Sequence, residues 1–210
     1  MPDQTRSSGA ANQGLPDFYN DLDATLDQAW TRFEQGVDDR ESLFHTPNVA
    51  IVGGDGTPGI RTVVLRAADR HLRRLRFHTD LRSSKVPDLR ANPRIGLHAY
   101  DPGSKIQLRL SCRAVIDATG DMAATAWQNS PMMGRANYRA PAGPGTPIAS
   151  PHEAAVGDPD HPDEGRDNFC VVLCTVLELE FLYLAAAGHR RARFSWDDAG
   201  DLVSATWLAP

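Results

Sequence analysis

The sequence predicts a mainly β protein, an antiparallel β-barrel decorated with a few helices. About seven short apolar runs, many of them β-branched, are separated by clusters of glycine, proline, asparagine and aspartate. Strands joined by such tight turns favour an antiparallel barrel over a doubly wound fold, in which helices would separate the strands. The 210 residues, 41% hydrophobic and 23% charged, are typical of a globular chain long enough to bury a core.

One amphipathic helix is expected before the strands. Between Asp17 and Asp39, apolar side chains recur every three or four residues, at Phe18, Leu22, Leu26, Trp30, Phe33 and Val37. This spacing places them on one helix face, with acidic residues on the other. Residues 1–15, rich in serine, glycine and glutamine, are expected to be a disordered N-terminus.

Strands and turns alternate through the middle of the chain. The segment GGDGTPG, which starts at Gly53, predicts a hairpin turn, and Ser83-Ser84-Lys85 with Pro87 in the first turn favours a helix start. A second short helix is expected over Asp121–Gln128. The expected strands here are Asn48–Val52, Ile60–Leu65, Leu72–Thr79, Ile95–Tyr100 and Lys105–Ala118.

Residues 129–168 differ in composition from the rest. They hold seven of the 15 prolines, together with many glycines and alanines, which predicts a long or partly disordered loop. Strands are expected again at Phe169–Leu184, Arg190–Trp196 and Asp201–Trp207. The interpretation is therefore one domain over residues 16–210, interrupted by this Pro/Gly-rich loop.

Charge is distributed unevenly along the chain. The net charge is −5, which argues against a protein bound mainly to nucleic acid. Residues 61–94 nevertheless hold ten of the 22 basic residues against three acids, Asp69, Asp80 and Asp88. A local basic excess inside an acidic chain indicates an anion site, whereas the plainer alternative is a set of solvated strand and helix faces.

The sequence shows no pattern typical of membrane insertion, secretion or metal binding. The most apolar stretch, Val171–Ala187, is interrupted by Glu178 and Glu180. Three cysteines fit a reducing compartment, so a cytoplasmic location is expected. Cys170 and Cys174 are four residues apart in one strand, too far for a disulfide, and are interpreted as core residues. We expect no metal and no membrane partner.

Four short motifs in fixed order then resemble a known family. They are Arg61-Thr62-Val63-Val64-Leu65-Arg66, Phe77-His78-Thr79-Asp80-Leu81-Arg82-Ser83-Ser84-Lys85, Asn92-Pro93-Arg94-Ile95-Gly96-Leu97 and the strand Ile106-Gln107-Leu108-Arg109-Leu110. Together they resemble the pyridoxamine 5′-phosphate oxidase-like flavoproteins, the FMN-binding split-barrel group. The Pro/Gly-rich segment 134–150 resembles the bacterial branch often called Alr4036-like. The resemblance implies a six- to eight-stranded antiparallel split barrel and a homodimer with FMN between the subunits.

The resemblance also implies roles for individual residues. Arg61 and Lys85, helped by Ser84, would hold the FMN phosphate, and the backbone of Arg61–Arg66, including Thr62, Val63 and Val64, would line the flavin. The resemblance places further FMN contacts at His78, Thr79, Gln107, Tyr183 and Arg193. The chemistry of the residues agrees, because a phosphate dianion favours a guanidinium, an ammonium and hydroxyl donors. For each of these residues a surface or core role is the alternative.

The substrate residues of the vitamin B6 oxidases are mostly missing from this chain. A gap-free count places Thr125, Asn129 and Met133 where those enzymes carry the Tyr, Arg and Ser that grip the substrate phosphate, and His189 and Arg191 at the late Arg-x-His pair. Arg66 is kept as a contact to an anionic substrate, and Arg135, Arg139 or Arg190 are candidate replacements for the lost residues. We therefore expect that pyridoxine phosphate and pyridoxamine phosphate are not the substrate.

The leading hypothesis is an FMN-dependent oxidoreductase, with no catalytic side chain assigned. The alternative is a non-catalytic FMN-binding or flavin-storage protein. Heme or another split-barrel cofactor is a further alternative. A nucleic-acid binder is disfavoured, because residues 61–94 contain one aromatic residue, Phe77, too few for base stacking.

Overall fold

The structure, a computed structural model, describes residues 14–154 and 163–210. Nearly all of the expected disordered N-terminus, residues 1–13, lies outside the described residues, as does part of the predicted long loop, residues 155–162. The described residues form nine strands and four α-helices. The helices are α1 (Leu22–Asp38), α2 (Lys85–Ala91), α3 (Asp121–Gln128) and α4 (Met132–Ala136). The strands are β1 (Asn48–Val52), β2 (Pro58–Thr62), β3 (Leu65–Asp69), β4 (Arg74–Asp80), β5 (Arg94–Asp101), β6 (Ile106–Asp117), β7 (Phe169–Tyr183), β8 (Arg190–Trp196) and β9 (Leu202–Leu208).

All nine strands belong to one antiparallel sheet. The order is β2-β1-β5-β6-β7-β4-β3, with β8 added to β7 and β9 added to β8. The long strand β7 pairs with β6 along most of its length, with β4 over residues 169–175 and with β8 over residues 178–183. The predicted mainly β, antiparallel class is confirmed, and the sheet is not closed.

The strand count exceeds the expected six to eight because β3 (Leu65–Asp69) forms where, apart from Leu65, no strand was expected. Ile60–Leu65 contributes to β2, which pairs with β1, and to β3, which pairs with β4 at the other end of the sheet order. At the bend, the Val63 and Leu65 amides donate to the carbonyls of Pro47 and His45, at 3.0 and 2.8 Å. This crossing brings the two ends of the sheet order close together, so that the curved sheet encloses a core.

The β1–β2 turn shows why glycine spacing alone is a weak signal. Gly54, Gly56 and Gly59 have the G-x-G-x-x-G spacing of dinucleotide-binding loops. Here the glycines lead into strand β2 instead of a helix, and Gly56 has a φ of 83°, a conformation that glycine adopts without strain. The motif therefore forms a hairpin turn in this fold.

The core lies on the concave side of the sheet, beneath α1. Trp30 and Phe33 of α1 are buried with strand residues such as Leu97, Leu108 and Phe181. Asp21 caps α1, because its carboxylate accepts a hydrogen bond from the Ala24 amide at 2.9 Å. A smaller second core packs α3 against β7 on the other side of the sheet, through Ala123, Ala126, Trp127, Phe169 and Val171.

The described residues between 129 and 168 contain more helix than the composition predicts. The described part contains α4 and short 3-10 helices at Asn137–Arg139, Pro151–Ala154 and Arg166–Asn168. Arg82 connects this segment to the barrel: its guanidinium pairs with Asp80 and donates to the carbonyls of Ala140 and Pro141. Among the described residues, no helix is long and apolar enough to cross a membrane.

Candidate functional site

Lys85, the first residue of α2, lies at the centre of a partly buried polar cluster. Its ammonium Nζ donates to Thr79 Oγ1 on β4 and to Ser83 Oγ, both at 2.7 Å. Both hydroxyl residues are buried, with exposures of 8% for Thr79 and 5% for Ser83. Because the two acceptors are neutral, these contacts orient the ammonium without cancelling its charge.

Arg61 supplies a second positive charge to this cluster from strand β2. Burial, together with the charge of Arg61, lowers the pKa of the Lys85 ammonium. The nearby carboxylate of Asp80 is held by Arg82 at 2.7 Å and forms no ion pair with Lys85. We call Arg61, Thr79, Ser83 and Lys85 the cradle. A guanidinium, an ammonium and hydroxyl groups fit a phosphate dianion, which would restore the stability of the Lys85 charge.

Ser83 provides a buried hydroxyl group of the cradle, and the phosphate contact of Ser84 stays a prediction. Ser84 is exposed, and its side chain makes no capping hydrogen bond to α2. Ser83 is the buried neighbour that contacts Lys85. Two adjacent serines look equivalent in the sequence, and only the start of α2 decides which of them faces inwards.

His78 and Arg66 lie in a separate pocket on the outer side of the barrel. Successive residues of a strand point to opposite faces, so His78 faces away from the cradle that its neighbour Thr79 joins. The pocket has a volume of about 240 Å³ and lies between β3–β4 and the α3–α4 segment. Arg66, Arg76, His78, Asn129 and Tyr138 are among its lining residues. We call it the arginine pocket.

Burial determines the ionisation of the groups in the arginine pocket. Desolvation, reinforced by the charges of Arg76 and Arg66, lowers the pKa of His78 to about 3. The imidazole is therefore neutral near pH 7, and its ring packs edge-on against Phe169 with centroids 4.9 Å apart. Burial raises the pKa of Tyr138 to about 12, so its phenol keeps the proton.

The remaining backbone candidates lie at the β2–β3 bend. Thr62 is exposed and donates from its hydroxyl to Asn48 Oδ1 at 2.9 Å. Val63 is buried, with 8% exposure, and Val64 is half-buried. These residues follow Arg61 directly, so their backbone continues from the cradle towards Arg66 and the arginine pocket.

Within one chain, three candidates lie far from the cradle. Gln107 pairs with Leu182 of β7, whereas Thr79 pairs with Cys170 of the same strand. Twelve residues separate these two β7 positions, which corresponds to about 40 Å along a strand at ~3.3 Å per residue. Tyr183 and Arg193 belong to the same distant end, since Tyr183 pairs with Ile106 and Arg193 with Glu180. Along β7, these three candidates therefore lie far from Thr79 and Lys85.

The distant group has its own contacts. Tyr183 packs edge-on against Phe18 and Tyr19, with ring centroids 5.2 and 6.2 Å apart. Arg193 lies 3.9 Å from Glu178 on the outer face of the sheet. Burial would raise the pKa of the neighbouring Glu180, but the hydrogen bond from Arg191 and the charges of Arg191, Arg109 and Arg193 hold it below its usual value. The flavin-contacting roles of Tyr183 and Arg193 stay predictions.

The proposed replacements for the missing substrate residues lie outside the arginine pocket. Arg135 donates to the carbonyls of Ser130 and Gln128 and stacks on Trp127. Arg139 is buried and donates to the Glu164 carbonyl, and Arg190 lies over the ring of Tyr19. Of the three gap-free positions only Asn129 lines the pocket, and Met133 is 87% exposed. Sequence reasoning missed Arg76 and Tyr138, whose burial on the pocket side becomes visible only in the fold.

Comparison with known proteins shows what part of the chain is similar to. Residues 27–117 match the family model described as "Pyridoxamine 5'-phosphate oxidase, FMN-binding domain". The chain is 27% identical over 157 residues to pyridoxine/pyridoxamine 5′-phosphate oxidase 2 of Arabidopsis thaliana, covering 70% of this chain and 79% of that protein. Residues 27–117, which the family model matches, include the cradle, the β2–β3 bend and Gln107.

Solved structures share the fold. A pyridoxamine 5′-phosphate oxidase-related, FMN-binding protein from Nostoc punctiforme is 22% identical, with a TM-score of 0.71, covering 94% of this chain and 100% of that one. PhzG from Burkholderia lata is 19% identical, with a TM-score of 0.72, covering 94% and 98%. These matches do not distinguish the Alr4036-like branch, which stays a prediction. Residues 27–117, fewer than half of the chain, are similar to the FMN-binding domain of the pyridoxamine 5′-phosphate oxidase family.

Proposed function

We propose that this protein is an FMN-dependent oxidoreductase whose substrate is neither pyridoxine phosphate nor pyridoxamine phosphate. The observation that carries the proposal is a second polar pocket on the opposite face of β4 from the cradle, with Thr79 facing the cradle and His78 facing the pocket. A flavin carrier needs only a cofactor site, whereas an enzyme also needs a place for a second molecule. Bound FMN supplies a ring that accepts or donates a hydride.

The chain's own residues have defined tasks in this proposal. Arg61 and Lys85 hold the cofactor phosphate, and the β2–β3 bend carries the backbone from there to the pocket. Arg66 stands at the pocket edge, where it can contact an anionic substrate. No side chain is assigned to proton transfer, and His78 is a poor candidate because burial lowers its pKa to about 3.

The argument against a B6 vitamer rests on the lining of the pocket. A lost charge-assisted contact costs about 1.5–3 kcal/mol, so losing two or three reduces affinity by orders of magnitude. Arg135, Arg139 and Arg190 are all engaged elsewhere in the described part of the chain. Arg76 and Arg66 remain as pocket cations, on different elements from the phosphate-gripping helix of the B6 oxidases.

We further propose a homodimer in the reducing cytoplasm. A dimer can bring the Gln107 end of one subunit to the cradle of the other, whereas in one chain about 40 Å of strand β7 separates the pairing partners of Thr79 and Gln107. The three cysteines, Cys112, Cys170 and Cys174, are free thiols, in keeping with a reducing compartment.

Anaerobic reduction of the flavin tests the proposed activity. The FMN-loaded protein should lose its oxidised flavin absorbance with at least one donor among amines, nicotinamides and reduced aromatic acids, and regain it with oxygen. Pyridoxamine 5′-phosphate should reduce it at least tenfold more slowly than that donor. Stable FMN binding without reduction by any donor class would support the flavin-storage alternative, and fast reduction by pyridoxamine 5′-phosphate would contradict the substrate argument.

A further inference from the structure

Arg82 lies in the turn between β4 and α2 and pairs closely with Asp80. Its guanidinium donates from Nε and Nη2 to the two carboxylate oxygens of Asp80, at 3.0 and 2.7 Å. The Arg82 amide donates to Asp80 Oδ1 as well, at 2.8 Å. The Asp80 side chain is only 7% exposed. Three donors from one residue therefore hold this buried carboxylate in one direction and balance its charge.

The Pro/Gly-rich segment holds the guanidinium of Arg82 from the other side. Arg82 Nη1 donates to the carbonyl oxygens of Ala140 and Pro141, at 2.9 and 3.3 Å. Gly143 packs so closely that a Cβ atom on it would lie 2.8 Å from the Cβ of Arg82, nearer than side chains tolerate. Each nitrogen of the guanidinium thus has an acceptor, so Arg82 is not available as a direct phosphate ligand.

The same turn carries the hydroxyl groups of the cradle. Thr79 directly precedes Asp80, and the Ser83 amide donates to the Asp80 carbonyl at 3.1 Å. The side chains of Thr79 and Ser83 both accept from the ammonium of Lys85. Asp80 is therefore the chain neighbour of a residue that contacts the ammonium, although successive strand residues point to opposite faces.

The charge of Asp80 acts on the cradle across this short distance. Burial and the charge of Arg61 lower the pKa of the Lys85 ammonium, and the charge of Asp80 acts in the opposite direction. A carboxylate that stabilises an ammonium competes with a phosphate for it, because both are anions. The ion pair with Arg82 balances the negative charge of Asp80 and thereby reduces this competition.

The ion pair also directs the Asp80 carboxylate away from Lys85. Asp80 lines a cavity of about 250 Å³ together with residues of the Pro/Gly-rich segment, among them Asn137, Gly143 and Thr146. The four cradle residues, all of which the structure describes, are not among the residues that line this cavity. Asp80 and the cradle therefore face different spaces while Arg82 is in place.

We propose that Arg82 is a positioning residue for the cofactor site: by pairing with Asp80, it prevents that carboxylate from competing with the FMN phosphate for Lys85. Arg82 acts through Asp80 and is not itself a phosphate ligand. The inference rests on FMN binding, the cofactor part of the proposed function, and is independent of the substrate.

A charge-matched double variant of the full-length protein tests the proposal. Arg82→Gln leaves the Asp80 carboxylate unpaired and should weaken FMN binding about tenfold, because an unbalanced charge acts strongly at a partly buried site. The affinity for riboflavin, which carries no phosphate charge, should change less than about twofold. Arg82→Gln/Asp80→Asn removes both charges and should return the affinity for FMN to within about twofold of the wild type. Titrations followed by flavin fluorescence measure these affinities.

Arg90→Gln is the matched control for the loss of a positive charge. Arg90 is an exposed residue of α2, and among the described residues it forms no ion pair, so its loss leaves no carboxylate unbalanced. It should change the affinity for FMN less than about twofold at physiological salt. If Arg90→Gln weakens FMN binding as much as Arg82→Gln does, the general positive charge of this region explains the effect and the proposal is wrong.

Asp80→Asn alone is a further variant, which keeps Arg82 in contact with the Pro/Gly-rich segment. It removes the competing charge and should bind FMN at least as tightly as the wild type. Weaker binding of FMN by Asp80→Asn would overturn the proposal, even if the Arg82→Gln protein failed to fold.

A purely structural role of Arg82 gives the opposite pattern. If Arg82 only fastens the Pro/Gly-rich segment, Arg82→Gln should weaken riboflavin and FMN equally, and the double variant should bind FMN no better than Arg82→Gln; either result contradicts the proposal. A wild-type protein that binds no FMN would contradict the proposed function itself. If the wild type and Arg82→Gln bind FMN equally well, only the role of Arg82 is wrong.

Discussion

The charge of the cofactor phosphate distinguishes the cradle residues from those expected to contact the ring. Arg61→Ala and Lys85→Ala should weaken FMN by about ten- to 150-fold, because each removes a charge-assisted contact of roughly 1.5–3 kcal/mol. The affinity for riboflavin, which lacks the phosphate, should fall much less. Titrations of both ligands, followed by flavin fluorescence, give the two affinities directly.

Arg40→Ala serves as the control for this prediction, since Arg40 is exposed in the turn after α1. Added salt should reduce the affinity for FMN more than the affinity for riboflavin. This loss of FMN affinity should be smaller if the cradle is shielded from solvent. If either cradle variant weakens both ligands equally, the residue acts through folding and the basic excess of residues 61–94 is a solvated face.

His78 should make the protein sensitive to acid. The pKa of the imidazole lies at about 3 in the folded chain, against an ordinary value of 6.5. As pH falls, the His78 imidazole is therefore protonated in the unfolded chain before it is protonated in the folded one. The contribution of the neutral imidazole to the free energy of unfolding is complete above pH 6.5 and is lost as pH falls towards 3. Each pH unit in that window costs about 1.4 kcal/mol.

Replacing the imidazole removes this dependence. Between pH 7.5 and pH 4.5, the wild type should lose about 2–3 kcal/mol of unfolding free energy more than His78→Gln does. Urea unfolding at the two pH values measures the difference, with the exposed His71→Gln as the matched variant. If the wild type and His78→Gln lose the same unfolding free energy between the two pH values, protonation of His78 does not destabilise the fold.

At the scale of single residues, sequence motifs predicted chemistry better than orientation. Lys85 and Thr79 were both chosen from a motif, and they lie in hydrogen-bond contact. Ser83 is the serine that contacts Lys85, because the start of α2 decides which serine is buried, and the phosphate contact of Ser84 stays a prediction. Arg76 and Tyr138 carried no motif, and only burial against α3 and α4 identifies them.

At the scale of elements, one arginine connects α1 to the barrel. Arg70, in the turn after β3, donates from Nε to Glu34 and from Nη2 to Glu34 and Thr31, at 2.8, 2.5 and 3.1 Å. It also pairs with Asp27, one helical turn further along the same face. Arg70→Met should destabilise the fold by about 1–2 kcal/mol, since these partly exposed pairs act as a network.

The destabilisation caused by Arg70→Met should appear first in α1. Hydrogen exchange of the α1 amides should accelerate in Arg70→Met, and 1 M NaCl should reduce the difference from wild type in urea unfolding. Arg74→Met, which replaces an exposed arginine without an ion pair among the described residues, is the control. An unchanged α1 exchange rate would show that apolar packing alone holds the helix.

Local patterns predicted most of the elements. Apolar periodicity and turn residues placed α3 and β8 at their observed bounds, because each is delimited by strong local signals. Ile60–Leu65 was predicted as one strand, since the bend between β2 and β3 depends on two separate pairing partners, β1 and β4, that no local pattern reveals. The short helices after residue 129 were missed, because proline and glycine dominate the composition there.

At the scale of the whole molecule, sequence order concealed the distance between the candidate residues. Thr79, Lys85 and Gln107 lie within one matched region, yet the register of β7 places Gln107 about 40 Å along the strand from the partner of Thr79. Motif order reports which residues a family keeps, whereas strand pairing decides which of them meet in one subunit.

A mixed dimer tests whether two subunits build each site. In a symmetric dimer, every site would combine the cradle of one subunit with the Gln107 end of the other. When a Lys85→Ala subunit pairs with a Gln107→Ala subunit, one site receives both defects and the other receives none. Each mixed dimer should therefore contain one site with wild-type FMN affinity.

Two different affinity tags allow the mixed dimer to be purified and titrated with FMN. One tight site per dimer is the expected result, while both parent homodimers bind weakly at both of their sites. If each subunit instead built its site alone, mixing would leave every site with one defect, and no tight site would appear. If sedimentation showed that the protein binds FMN tightly as a monomer, the shared site would be contradicted more directly. The Gln107 end of the sheet would then have no cradle of a second subunit to complete.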